Sequence, residues 1–269
     1  MKLRHAIDAL SSVFFPAPCQ ICDQILDTAS LLPICEDCLT SLKPFRGPCC
    51  LSCGRPFVSE VALDAAEPRC FACRRGVYAF DLARSYGEYS EPMARAISLL
   101  KYENLMPLGR WFSARLKERI RSEPETFVAD VLVPVPLHPA RLRERGYNQA
   151  ELIARPLARS LALPLGTYLL VRTKPRPARL LLSRRERWLT VRGAYEMRKG
   201  ARVDNLRVLL IDDVFTTGAT LDACARALKA AGAKSVIGLT VARVVSSGSA
   251  FSGRVGQPVQ TAEVRAASN

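Results

Sequence analysis

Short apolar runs alternate with polar stretches along the second two thirds of the chain, and the period of the apolar positions separates the elements. In "YAFDLARSYGEYSEPMARAISLLKY" the register switches: alternation around Phe80–Tyr86 predicts a strand, and the spacing of Met93, Ile97 and Leu100 predicts a helix after it. "FVADVLVPVPLHP" reads as an apolar strand over residues 127–133, ended by prolines that cannot donate to a ladder. In "NQAELIARPLARSLAL", Asn148 is an N-cap with Glu151 at the third helical position, a capping box, and Pro156 is placed to kink the helix. A short strand at Leu165–Val171 precedes a basic stretch; then follow a strand at Arg207–Ile211, a helix over Thr220–Ala230 and a strand at Ser235–Ala242. Strands and helices alternating at these lengths predict an α/β fold, a mostly parallel sheet with flanking helices. Ligands of such sheets bind beyond the carboxyl ends of the strands.

The front of the chain lacks this periodicity and carries cysteines instead. Of 10 in the chain, nine lie from Cys19 to Cys73, and eight form CxxC pairs: Cys19/Cys22, Cys35/Cys38, Cys50/Cys53 and Cys70/Cys73. A CxxC turn presents two thiolates to one ion, and two turns complete a tetrahedral shell, so eight thiolates suit two zinc ions. Sequential pairing places Cys19, Cys22, Cys35 and Cys38 on one ion and Cys50, Cys53, Cys70 and Cys73 on the other; an interleaved cross-brace is the competing arrangement. With four thiolates and no open position each site is structural. Cys49 is a spare neighbour, and Cys224, alone in a helical pattern, reads as a small buried apolar residue. The expected organisation is a short helix over 1–18, a double zinc ribbon over 19–75, the α/β domain over 76–245, and a disordered tail over 246–269. Metal replaces an apolar core in the ribbon, so chelation is expected to disorder residues 19–73 and leave the larger domain folded.

Compartment and charge narrow the partners. No apolar run reaches the ~18 residues of a membrane span. Asp8 interrupts the apolar part of "MKLRHAIDALSSVFFPAPC", and Pro18 before Cys19 suits neither a cleavage site nor a lipidation site, which predicts a cytoplasmic protein. A formal charge of +14, from 39 Lys and Arg against 25 Asp and Glu, favours polyanionic partners. Much of it falls on Arg172, Lys174, Arg176, Arg179, Arg184, Arg185, Arg187, Arg192 and Arg198, with Trp188 and Tyr195 among them. Basic side chains that track phosphates and aromatics that stack on bases suit single-stranded DNA, with Arg184, Arg185, Arg187 and Trp188 as the candidate contacts. A solvated basic loop is the alternative reading.

The chemistry concentrates in "VLLIDDVFTTGAT", residues 208–220. At a strand end, where successive side chains need no longer point to opposite faces, Asp212 and Asp213 can accept hydrogen bonds from a vicinal diol such as that of ribose. Thr216, Thr217, Gly218, Ala219 and Thr220 then offer hydroxyls and backbone N–H groups at a helix N-terminus to a phosphate. Gly218 and Ala219 are small enough for the backbone to close around it.

This stretch resembles the phosphoribosyl pyrophosphate (PRPP) loop of type I phosphoribosyltransferases. Together with "FFPAPCQIC", "LLKYENL" and "VPVPLHPARLRERGYNQAELIA", it makes the chain similar to the ComF (ComFC/GntX-like) competence proteins, a double zinc ribbon before a phosphoribosyltransferase domain, over roughly residues 10–245. The resemblance implies that Pro134, Val135 and Pro136 lie on the pyrophosphate side and that Arg141, Arg145 and Asn148 border the site. It also implies PRPP or a related nucleotide as ligand, with Mg2+ on its pyrophosphate. A role in DNA uptake follows, with a DNA-uptake helicase or another competence protein as partner. The alternative is a phosphoribosyltransferase of nucleotide salvage that displaces pyrophosphate from PRPP with Mg2+; no nucleobase pocket is recognisable in the sequence. Arg179 and Thr190 stand where relatives carry Gln and Asn. That departure bears on catalysis more than on PRPP binding.

Overall fold

The computed structural model describes residues 18–26, 30–57, 68–175 and 184–245, with the backbone alone at Arg184, Arg185 and Arg187. The helix expected over 1–18, except Pro18, lies outside the described residues, as do the tail 246–269, Arg176 and Arg179. In chain order the elements are α1 (Glu36–Ser41), α2 (Phe71–Arg74), β1 (Leu82–Glu88), α3 (Glu91–Tyr102), α4 (Pro107–Ser122), β2 (Val131–Pro134), α5 (Pro139–Arg145), α6 (Gln149–Leu161), β3 (Leu170–Arg172), α7 (Arg184–Val191), β4 (Tyr195–Met197), β5 (Arg207–Phe215), α8 (Ala219–Ala230) and β6 (Ser235–Arg243).

Four strands form one parallel sheet in the order β1-β6-β5-β2, and β3 and β4 pair as a separate antiparallel hairpin. Residues 208–213 of β5 are all buried, as a parallel strand covered on both faces requires. Leu209 and Ile211 face a core that contains Met93, Phe112 and Leu157 of α3, α4 and α6. Val208 and Leu210 face Leu221 and Leu228 of α8 and Leu170 and Tyr195 of the hairpin. Between α4 and α6 the contact is close: a Cβ on Gly109 would lie 3.0 Å from the Leu152 carbonyl oxygen. That carbonyl is the one Pro156, with no N–H, cannot bond from within α6.

Both edges of the sheet are covered. Along β1 the ribbon segments run as partial strands, with Ala83 N–H donating to the Ser52 carbonyl at 2.7 Å and Phe45 N–H to that of Tyr86 at 2.6 Å. Along β2, Leu132 N–H donates to Pro164 at 2.9 Å and Gly166 N–H to Leu132 at 2.8 Å. An open ladder edge invites pairing with other chains, and these segments remove it. The ribbon also shares the cores: Cys19, Ile34 and Leu42 belong to the one on the α3 side, and Cys50, Cys53 and Cys70 to the other.

Several expected elements differ in extent. Pro124 opens a 3-10 turn over Pro124–Phe127, so β2 begins later than the apolar run suggested. The strand expected at Leu165–Val171 is reduced to Leu170–Arg172, because Leu165 and Gly166 serve the edge of β2 and residues 167–168 turn. Asn148 caps α6 through Ala150 N–H at 3.0 Å, but the return half of the capping box does not form, since Glu151 pairs with Arg155 instead. β5 runs on to Phe215 rather than ending before the acids.

Candidate functional site

That extension changes the geometry of the acid pair. Asp212 and Asp213 were expected to have left the sheet; both are still in β5, where successive side chains alternate, and they point to opposite faces. Asp213 faces the α3/α6 side, where Lys101 Nζ lies 2.5 Å from one carboxylate oxygen and Gln149 Nε2 donates to the other at 2.7 Å. Gln149 is itself gripped by Arg145, whose guanidinium lies over the Tyr102 ring at 5.0 Å. Asp212 accepts from the Asp213 N–H at 2.9 Å. Burial first, and then the neighbouring Asp213 charge, push its carboxyl up to about 7.

The pyrophosphate-side residues stand next to this pair. Pro134 is in register with Ile211, and Val135 N–H donates to the Ile211 carbonyl at 2.9 Å, so residues 134–136 leave the sheet beside the acids. Asn148 Nδ2 donates to the Val135 carbonyl at 3.0 Å, and the Tyr147 hydroxyl donates to that of Leu100 at 2.5 Å, which ties this segment to α6 and α3. Arg145 is therefore brought to the acids through Gln149, whereas Arg141 points away and pairs with Glu144 at 3.0 Å on the surface. His138 caps α5 through Ala140 N–H at 3.2 Å.

Residues 216–218 turn from β5 into α8. Gly218 has φ +82, and a Cβ there would meet Phe215 and Tyr78 at 2.7 Å each. The glycine is thus required by the loop's own packing as well as by any ligand above it. Thr217 Oγ1 accepts from Ala219 N–H at 3.4 Å, and the N–H groups of Thr220 and Leu221 lie in the first turn of α8, where the helix itself supplies no acceptor. Tyr78, which follows the second ribbon, braces the loop from below. Its hydroxyl donates to the Thr217 carbonyl at 3.1 Å, and burial pushes its phenol up to about 12, so it remains a donor. Ala79 N–H donates to Asp222 Oδ1 at 2.7 Å.

The eight paired cysteines gather as two groups, Cys19, Cys22, Cys35 and Cys38, and Cys50, Cys53, Cys70 and Cys73, with the ligand atoms of each within 4.8 Å of one another. The interleaved alternative has no counterpart in this arrangement. Cys22 and Cys35 Sγ are 3.7 Å apart, as are Cys53 and Cys70 Sγ. A tetrahedron with Zn–S bonds of ~2.3 Å has edges of about 3.8 Å, so both groups fit zinc and neither distance fits a disulfide. Backbone N–H groups of Cys35 and Cys70 donate to Cys19 and Cys50 Sγ at 3.3 and 3.2 Å, which orients the thiolates. Cys224 is buried in the sheet–α8 core, as a small apolar residue would be.

One residue joins the second zinc group to the loop. Arg243, at the end of β6 and only 5% exposed, donates to the Cys53 carbonyl at 2.5 Å and approaches Cys53 Sγ at 3.6 Å, with its guanidinium 4.0 Å from the Phe215 ring centroid. Of the candidate DNA contacts, Trp188 projects from α7 against Tyr78, ring centroids 5.8 Å apart; the side chains of Arg184, Arg185 and Arg187 lie outside the described residues. Lys101, Gln149 and Arg243 carry no role in the sequence reading. Lys101 and Gln149 do fall inside the quoted motifs "LLKYENL" and "GYNQAE", which was the available signal.

Two known families match parts of the chain. A phosphoribosyl transferase domain model matches residues 148–250, and a double zinc ribbon domain model matches residues 10–74. The chain is 31% identical over 214 residues to competence protein ComFC of Bacillus subtilis strain 168, across 78% of this chain and 84% of that one. It is 29% identical over 207 residues to competence protein F of Haemophilus influenzae, across 76% and 87%. Among solved structures, the allosteric regulatory enzyme of purine biosynthesis aligns with 51% of this chain and 26% of its own, at 22% identity and a TM-score of 0.33. Among the described residues no helix is long and apolar enough to cross a membrane.

Proposed function

The chain belongs to the ComF family of competence proteins, and from that premise we propose that it binds PRPP or a related nucleotide at the β5–α8 loop and handles single-stranded DNA during DNA uptake. The observation that carries the ligand reading is Asp213, held by Lys101 and Gln149 at the carboxyl end of β5, beside the open first turn of α8. Each carboxylate oxygen has a second lone pair, so Asp213 can accept from a ribose hydroxyl while its two partners fix its orientation. Thr216, Thr217, Gly218, Ala219 and Thr220 would take the 5′-phosphate, and Pro134–Pro136 with Arg145 would face the pyrophosphate. Mg2+ would travel on the pyrophosphate and water: among the described residues the cysteine groups are the only sets of three or more metal-ligand side chains, and Mg2+ suits phosphate and water oxygens. Once bound, it neutralises the pyrophosphate charge.

The DNA half of the reading rests on the charge of +14 and on the names of the relatives, competence proteins in three species and a DNA utilization protein in Escherichia coli. A DNA-uptake helicase or another competence protein is the partner class this reading calls for.

Calorimetric titration of PRPP with Mg2+ tests the ligand. Asp213→Asn should weaken binding by roughly one to two orders of magnitude, the range of a lost charge-assisted hydrogen bond, while inorganic pyrophosphate should feel little. Equal PRPP affinity in the folded variant and the parent would remove the phosphoribosyl reading. Anisotropy of a labelled oligonucleotide against salt tests the DNA half. Pyrophosphate release from PRPP with a free base present would favour nucleotide salvage instead.

A further inference from the structure

A concavity opens on the flank of α8 and meets the β5–α8 loop at Ala219. Its volume is about 660 Å3, within the roughly 300–1,000 Å3 of small-molecule sites. One wall is a strip of α8 in which Ala219, Ala223 and Ala227 recur every fourth residue, about 12 Å of nearly flat apolar surface. The other wall is Trp188 of α7, with Tyr195 of β4 behind it. Arginines stand at the rim. Asp222 Oδ2 accepts from Arg226 Nε at 2.8 Å, and Arg226 also donates to the Val77 carbonyl at 3.2 Å, so its fork is held in place with donors to spare. The Arg192 guanidinium has no partner among the described residues.

A slot with an indole on one side, a methyl strip on the other and cations at the mouth selects for a planar ring that carries an anion. An aliphatic chain buries area here but forgoes stacking on the indole face, and a bare anion makes no use of that face. We propose that this cavity is a stacking site for one nucleobase, supplied by an unstacked base of single-stranded DNA or by a free nucleotide. The proposal rests on the DNA reading above only for the first of those sources. The site is not isolated from the phosphate loop: Trp188 lies against Tyr78, and Tyr78 donates to the Thr217 carbonyl. A base seated against Trp188 is therefore one side chain away from the residue that braces residues 216–218.

The chain has two tryptophans, so a Trp111→Phe background leaves Trp188 as the single indole reporter. Three probes are titrated into it: a twelve-residue oligothymidylate, an abasic strand of the same length, and thymidine monophosphate. Base-dependent quenching, absent with the abasic strand, is the expected result, and Ala227→Leu, which fills the slot at a half-exposed position, should weaken it roughly tenfold. Quenching by the oligothymidylate at far lower concentration than by the monophosphate assigns the base to DNA; the reverse assigns it to a free nucleotide. No base-dependent quenching, or an Ala227→Leu titration that superimposes on the parent's, overturns the proposal. If a labelled strand still binds in that case, the DNA reading survives on charge alone; if it does not, both fall together.

Discussion

Asp212 sits on the face of β5 opposite Lys101 and Gln149, and among the described residues no cation pairs with it as Lys101 does with Asp213; Arg172 acts on it only weakly. Its carboxyl is pushed from 3.8 up to about 7 by burial and by Asp213. A folded-state value above the unfolded one means that the protonated form contributes stability that is fully present below about pH 4 and lost as pH rises through about 7. Asp212→Asn removes that titration. Measured by urea midpoints at pH 5 and pH 8, the variant should gain on the parent as pH rises; an unchanged difference would place the Asp212 carboxyl at its ordinary value. Comparing differences cancels the zinc thiolates, which titrate alike in both proteins. The apolar run, the acid pair and the Thr/Gly patch made this stretch legible as a ligand loop. What they hid was the neighbours: Lys101 and Gln149 lie 112 and 64 residues from Asp213, and contacts at such separations leave no periodic trace.

Elements were legible where one face sets a period and obscure where an edge or a partner sets the length. α3, α6, α8 and β6 fall close to their expected bounds because their buried faces repeat at helical or continuous-strand spacing. α7 and β4 carry no comparable signal: the described burial of α7 is partial, and β4 has three residues. The α4–α6 contact shows how little sequence marks a close approach. Only Gly109 does, since a Cβ there would meet Leu152 Cβ and carbonyl oxygen at 3.0 Å. Gly109→Val should force the two helices apart and cost roughly 1–3 kcal/mol, read as a lower denaturation midpoint. A Val variant as stable as the parent would mean that the α4–α6 spacing is slack.

At the scale of the whole molecule, the four CxxC pairs announced two metal sites but not their attachment. The expectation that chelation would leave the larger domain intact treats the ribbon as an appendage, whereas its cysteines belong to both cores and Arg243 reaches from β6 into the second site. Loss of that site leaves a buried guanidinium without its thiolate partner, a costly state. Cys70→Ser with Cys73→Ser should therefore weaken ribose 5-phosphate binding and loosen Phe215, and Cys22→Ser with Cys38→Ser, in the group that packs on the α3 side through Cys19, Cys35 and Cys38, should do so less. Calorimetry and hydrogen exchange on residues 215–220 read the difference; equal effects from the two pairs would deny Arg243 any special part.

The strand order also carries a history of synthesis. In β1-β6-β5-β2 the two central strands are the last to be made, and the edges wait for them: Ser85 and Thr240, bonded side chain to side chain at 2.7 Å, are 155 residues apart. A nascent chain stopped before residue 207 holds two strands that are not neighbours and a hairpin that belongs to neither. Such a chain has no sheet to complete, and loop closure over that distance is slow. The cysteine pairs, in contrast, are all translated by residue 73, and domains fold from the N-terminus as they emerge. Zinc can thus be in place on the ribosome long before the nucleotide loop exists. The ribbon then waits as a ready edge for β1, and a frameshift between β2 and β6 takes from the middle of the sheet rather than its margin.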